Sequence, residues 1–394
     1  MKKITVIVLA FLVISCHTSN DMAISMDTKV KEVQKIMNNR QPFSNSQLNS
    51  LLSYDLSAKG LLVWKLEYNQ NNITGNAISL ILLDDARAIL DYSSVFFAIN
   101  TFNQKVLGYR NKSENAFIIL GEGQDFYSFQ GYRLEKLRFD DFQASLEKRY
   151  FVPGLSEYSR LALFIPKSDT FIAGVQGTGD PKYHTPIFAL REKQYKVSSS
   201  MWYLAYNGFA AMPPVSIDGN VVVAMNNLIR IIGIDGNIKK EIEGKFAPFC
   251  SSIGVDNIIY LFCKTELDYV IRAMDFDGNI KWECPTSITK PNQPPIVSNE
   301  SIVYIIGSSK VEAFANGEKL WDFELIGNSR QLASVSRDGM LLVSDGNRVI
   351  CLSKTGELSW KIQSGSGETF MTQPVLDSVG KVFVATDKSI VVLQ

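Results

Sequence analysis

The chain reads "DFDGNIKW" at residues 275–282, "FANGEKLW" at 314–321 and "SKTGELSW" at 353–360. Each stretch is the end of one strand, a glycine turn, and a second strand that reaches tryptophan four residues after the glycine. Gly278, Gly317 and Gly356 lie 39 residues apart, and Gly236 precedes them by 42 with Lys240 in the tryptophan position. Upstream of each glycine is an apolar run, "LIRIIGI", "YVIRAM", "KVEAFA" or "RVICLS". A second run precedes that one, "NVVVAM", "NIIYLF", "SIVYII" or "MLLVS", and proline marks the approach in "MPPVSI", "QPPIVS" and "TQPVLD".

A repeat of this period sets the architecture before any single residue does. Each unit is three or four short strands, rich in valine and isoleucine, with Asp-Gly or Asn-Gly pairs suited to two-residue hairpins. A small sheet apolar on both faces cannot stand alone in water. Radial stacking that closes on itself solves this, and the result is a β-propeller. On the outer strand, Trp282, Trp321 and Trp360 are placed to fill the widening seams between blades.

The last unit, from Gln373, runs out after its third strand. Its missing strand stands near the start: "LSAKGLLVWKL" (56–66) matches "LSKTGELSWKI" (352–362) at Leu, Ser, Gly, Trp and Lys. Gly60 and Trp64 therefore belong to the outer strand of the final blade. Between 66 and 210 the signal weakens, and Asn103, Gly131 and Gln194 are read at the glycine site. Gly60 to Gly356 spans 296 residues, or seven intervals of about 42 against six of about 49. The expectation is all-β: a propeller of about eight four-stranded blades, with seven the alternative, occupying 56–394 and closed by an N-terminal strand. Insertions are expected near 140–158 and at 175–186, and loops on a rigid ring are where function concentrates.

The first residues read differently. "MKKITVIVLAFLVISC" has two lysines, an apolar run to Ile14, then Ser15-Cys16. This is the pattern of a secretory signal, and Val13-Ile14-Ser15-Cys16 resembles a bacterial lipobox. Residues 1–15 are read as a lipoprotein signal peptide, with Cys16 the lipidation site. Residues 16–55 are read as a tether carrying a short helix, with Val30, Val33, Ile36 and Met37 at helical spacing. Palmitate-type acylation would hold the chain on a bacterial membrane, at the outer membrane or the periplasmic face, without a spanning helix.

Forty basic residues balance forty acidic ones in the 394-residue chain, so no overall field recruits nucleic acid. Cys250, Cys263, Cys284 and Cys351 have wide spacings. A turn near Val255 would set Cys250 and Cys263 about three residues out of register, and buried free thiols are expected.

The repeats resemble those of the pyrroloquinoline-quinone-like propeller superfamily. Ala273, Asp275, Gly278 and Trp282 follow its pattern, as do Thr355, Gly356 and Trp360. The resemblance covers 211–394 and 56–66, and it is faint from 79 to 200. One branch of that superfamily holds quinone-dependent alcohol and sugar dehydrogenases. The other holds non-catalytic lipoproteins, including the propeller subunit of an outer-membrane assembly machine. A lipobox and a single propeller look like the second branch. The adjacent cysteines that several of the quinone enzymes carry do not occur here.

Chemistry is sparse in the sequence. The only histidines are His17, beside the anchor, and His184, in an insertion. No spacing suits zinc. "DFDGN" opens like a calcium loop but lacks the third acid and the distant glutamate, so it reads as a turn. No catalytic, cofactor-binding or metal residue is assigned and no cofactor is expected. The functional expectation is an envelope lipoprotein that binds a protein partner, attached to the membrane through its lipid. The alternative is an exported enzyme or small-ligand binder using the central channel.

Overall fold

The computed structural model describes residues 60–67, 77–84, 87–92, 95–111, 117–120, 125–130, 133–138, 148–151, 159–165, 170–175, 185–191, 202–206 and 214–394, the last without 215, 217–218, 226, 234, 328–330 and 378. The readings at 1–55, with Cys16 and His17, lie outside these residues, as do His184 and most of the 175–186 loop.

Among the described residues there are eight antiparallel sheets and no helix. Blade 1 contains Ala77–Asp84, Arg87–Tyr92, Val95–Asn100 and Lys105–Asn111. Blade 2 contains Phe117–Leu120, Asp125–Gln130, Arg133–Arg138 and Lys148–Phe151. Blade 3 contains Ser159–Ile165, Thr170–Val175, Thr185–Arg191 and Trp202–Tyr206. Blade 4 contains Val221–Met225, Leu228–Ile232 and Ile238–Glu243. Its pairing continues inward through hydrogen bonds from Val222 N to Pro214 O and from Ser216 N to Asn220 O.

Blade 5 contains Ala247–Ile253, Ile259–Lys264, Tyr269–Met274 and Ile280–Pro285. Blade 6 contains Ile296–Val297, Val303–Ile306, Lys310–Ala315 and Glu318–Glu324. Blade 7 contains Leu332–Val335, Leu341–Asp345, Arg348–Leu352 and Leu358–Gln363. Blade 8 joins Val375–Leu376, Val382–Ala385 and Ser389–Leu393 to the N-terminal strand Leu62–Glu67. That strand is outermost and antiparallel, with Lys65 opposite Val391 and Glu67 opposite Ser389. Leu61 and Gln394 exchange two backbone hydrogen bonds of 2.8 Å. The eight-bladed expectation and the N-terminal closure both hold.

Alternation explains how each sheet serves two seams. Along the second strand of blade 5, Ile259, Leu261 and Cys263 face blade 4, while Tyr260 and Phe262 face blade 6. Similar clusters join blades 6 to 7, 7 to 8, and 8 to 1, the last through Phe383 and Val392 against Leu90 and Phe97. Each aliphatic side chain buried this way contributes about 1.5–3 kcal/mol. Outer strands are wet by contrast: Ile238–Glu243 is "IKKEIE", exposed at every position but one.

Three expectations need correction. The glycine turns are mostly three-residue loops rather than two-residue ones. At Asp275, N donates to Asn279 O and Gly278 N donates back to Asp275 O, with positive φ at Gly278 alone of the three. Among the described turns before outer strands, blade 6 alone has the two-residue form, with Asn316 and Gly317 at φ 52° and 85°. Second, Gly131 lies between the second and third strands of blade 2, not before the outer strand. That outer strand, Lys148–Phe151, falls inside the supposed 140–158 insertion. Third, the left-handed residue in blade 1 is Gln104 (φ 58°), one position after Asn103. The Asn100 carboxamide oxygen accepts from the backbone of both Phe102 and Asn103 and fixes that loop.

Candidate functional site

The recurring glycines and tryptophans meet across blades. A Cβ at Gly356 of blade 7 would stand 2.6 Å from the indole of Trp321 of blade 6. A Cβ at Gly317 would stand 3.1 Å from Trp282, and one at Gly60 would stand 3.1 Å from Trp360. Beneath Gly278 the role passes to Ile242, which would lie 3.0 Å from the added atom. All four glycines have φ between 78° and 91°. The side chain is therefore excluded twice, by backbone conformation and by the neighbouring blade. Trp321 Nε1 also donates to Lys354 O at 2.7 Å, tying one outer strand to the next blade's turn. Trp64 lies opposite Val392 in the closing strand.

Carboxylates tie the connectors between blades. Glu312, fully buried, accepts from Thr286 Oγ1 and Ser287 Oγ at 2.5 Å and pairs with Lys310 at 3.2 Å. Burial pushes this carboxyl up, but the hydrogen bonds outweigh it and hold it below the usual range. Asp345 accepts from Ile326 N at 2.9 Å and pairs with Arg348 at 2.6 Å. Glu368 accepts from Thr386 and Ser389 hydroxyls at 3.0 Å and pairs with Lys65 of the closing strand. These acids hold strands together and are saturated by donors.

The calcium-like stretch is saturated as well. Asp275 Oδ1 accepts from Asp277 N and Asn279 N, while Oδ2 faces the Asn279 amide and Lys281 Nζ at 2.8–2.9 Å. The Lys281 and Asn279 contacts hold its carboxyl well below the ordinary range. No cluster of three potential metal ligands occurs among the described residues. The four described cysteines are free and buried, and burial pushes Cys263 and Cys351 up to about 12. A thiol so shifted is inert at neutral pH. Cys250 lies opposite Phe262, one residue from the Cys263 register rather than three, because the turn centres on Asp256 rather than Val255; a bulge separates Cys250 from Pro248. The two thiols belong to opposite faces of the sheet.

Two exposed surfaces stand out. On blade 5 that same bulge turns Phe249 outward, 38% exposed, against Phe262 and Tyr269 with ring centroids about 6 Å apart. Among the described residues, exposed apolar side chains are most numerous on the two blades that meet at the ring closure. Leu61, Leu62, Phe102, Val106, Leu107 and Tyr109 are six of the fourteen large exposed hydrophobic residues described. Leu61 and Leu62 lie at the start of the closing strand of blade 8 and the other four belong to the outer hairpin of blade 1, and the inner strands of these blades share one core cluster. The outer strand of blade 1 alone carries three of them, whereas those of blades 4 to 7 carry one each. Sequence reading did not single out this rim; "KVLGYRN" resembles any alternating strand until the sheet order makes it an edge.

No protein-family model matches the chain, and the search of curated proteins finds no counterpart. Solved structures do share its fold. Saccharomyces cerevisiae Sqt1 superposes with a TM-score of 0.61 at 12% identity, over 85% of this chain and 99% of that one. BamB from Moraxella catarrhalis gives 0.58 at 13% identity over the same shares. Kluyveromyces lactis Hsv2 gives 0.51 at 10% identity, over 74% of this chain and all of its own. At such identities the likeness is one of fold.

Proposed function

We propose that this chain is an exported lipoprotein, anchored through Cys16, whose propeller is a scaffold for a protein partner in the cell envelope. The observation that carries the reading is the number of exposed apolar side chains that, among the described residues, the two blades at the ring closure carry. The repeat itself is spent on structure: Gly60, Gly278, Gly317 and Gly356 make close-packed turns over Trp360, Ile242, Trp282 and Trp321. Membership of the pyrroloquinoline-quinone-like superfamily, on its non-catalytic branch, is part of the same proposal, and the fold shared with BamB is in keeping with it. A lipid anchor adds to a scaffold's action by raising its effective concentration for a membrane-bound partner.

The test sets binding against turnover. Purified protein supplied with calcium and pyrroloquinoline quinone should reduce no dye with alcohols or sugars. Stoichiometric quinone binding with turnover would sink the proposal and restore the channel-enzyme alternative.

A further inference from the structure

We propose that the outer edge of blade 1, Lys105–Asn111, takes an extended, acid-flanked apolar segment of a protein partner as an added strand. The inference rests on the scaffold reading and names the site and chemistry through which it would act.

An outer strand presents unpaired backbone groups to solvent, and natural sheets protect such edges with charge. The outer strands of blades 4 to 6 follow that rule by mixing acids with lysines, as "IKKEIE", "IKWECP" and "EKLWDFE". That of blade 7, "LSWKIQ", has polar residues at alternate positions. Blade 1 keeps two bases, Lys105 and Arg110, but has no acid and exposes three large apolar side chains. Among the described residues its strand pairs on one side only, with Val95–Asn100. Val106, Leu107 and Tyr109 are 37%, 44% and 51% exposed, and Phe102 in the preceding turn is 87% exposed.

The exposure has a local cause. Blade 1 has Gly108 where blades 5 to 7 have tryptophan, since Gly108 pairs with Ala98 as Trp282 pairs with Ala273. Leu107 is the bulged residue before it. Tyr109 leans on Phe97 at 6.5 Å between ring centroids, which leaves the ring supported from within and open outward. Charge selects the occupant. The strand, "KVLGYRN", contains two bases and no acid. Backbone hydrogen bonding would supply affinity, alternate apolar side chains register, and flanking carboxylates orientation.

The probe is a short fluorescent peptide of alternating valine and threonine with paired glutamates at each end, titrated into the full-length protein by anisotropy. The proposal expects saturable binding, weakened about tenfold when lysines replace the glutamates and about tenfold by Leu107→Lys. Leu358→Lys, at an equally exposed position on blade 7, should leave binding unchanged. Phe102→Lys, in the turn, provides a second variant, and unchanged thermal midpoints check folding. Absent binding, equal binding of both peptides, or equal loss with Leu358→Lys would overturn the proposal. So would a concentration-dependent dimer of the protein that Leu107→Lys abolishes, because the occupant would then be a second copy. Partner capture from membranes that survives Leu107→Lys removes this edge and leaves the scaffold reading standing; loss of all capture by the unaltered protein removes the scaffold reading itself.

Discussion

A methyl group added at Gly356 would sit 2.6 Å from the Trp321 ring while forcing an alanine to φ 83°. The left-handed backbone alone costs about 1–2 kcal/mol, and the contact adds to it. Replacing Trp321 by alanine empties a seam and costs about 3 kcal/mol. Because the two residues touch, these losses should not add. In urea denaturation, Gly356→Ala with Trp321→Ala should fall short of the sum of the single changes by about 1 kcal/mol. Strict additivity would mean that the glycine answers to its turn alone. This pairing was half legible in the sequence. The spacing of Gly278, Gly317 and Gly356 to their tryptophans is plain and places the indoles at seams, but it does not say what each one meets there. The contact runs from one blade's tryptophan to the next blade's glycine, a relation only three-dimensional stacking reveals. The seam needs volume rather than indole, so Ile242 serves beneath Gly278 and the sequence signal disappears there.

At the scale of elements, the closing strand differs from the outer strands of blades 1 and 4 to 7 in having no short turn to hold it. Its side-chain tie is Lys65 to Glu368, whose other oxygen accepts from Thr386 and Ser389. Burial pushes the Glu368 carboxyl up, but bonds from Lys65, Ser389 and Thr386 prevail and hold it below the usual value. A depressed carboxyl stabilises the fold fully above its unfolded pKa of about 4.3, and the contribution fades as pH falls through the folded value. Lys65 is raised, first by its bond to Glu368, so its share persists below the ordinary lysine range and fades only at strongly alkaline pH. Glu368→Gln should therefore lower the thermal midpoint at pH 7, with the gap to the unaltered protein closing below about pH 4. A gap that stays constant down to acid pH would show that the ion pair does not secure the strand. The closure itself was legible because 56–66 repeats 352–362 at Leu, Ser, Gly, Trp and Lys. The outer strand of blade 2 was not, since "KRYF" has the charged composition of a solvated edge and offers no apolar alternation to read. Gly131 misled for the related reason that two hairpins of one blade look alike in sequence.

For the whole molecule, eight sheets in sequence order with an N-terminal strand completing the last account for the length, the period and the terminal match together. Fold was legible because every blade repeats the same requirement. The candidate surface was not, because exposure on a rim depends on which strand is outermost and on what neighbours leave uncovered. The reading of Cys16 has its own check: mass spectrometry of the native N-terminus should find it acylated and first in the chain, and an unmodified Cys16 still joined to residues 1–15 would refute the anchor. The most direct test of the scaffold as a whole is crosslinked capture from native membranes, with recovered proteins quantified against an unrelated lipoprotein. The account predicts one envelope protein recovered in near-stoichiometric amount; recovery of nothing above that control would contradict it.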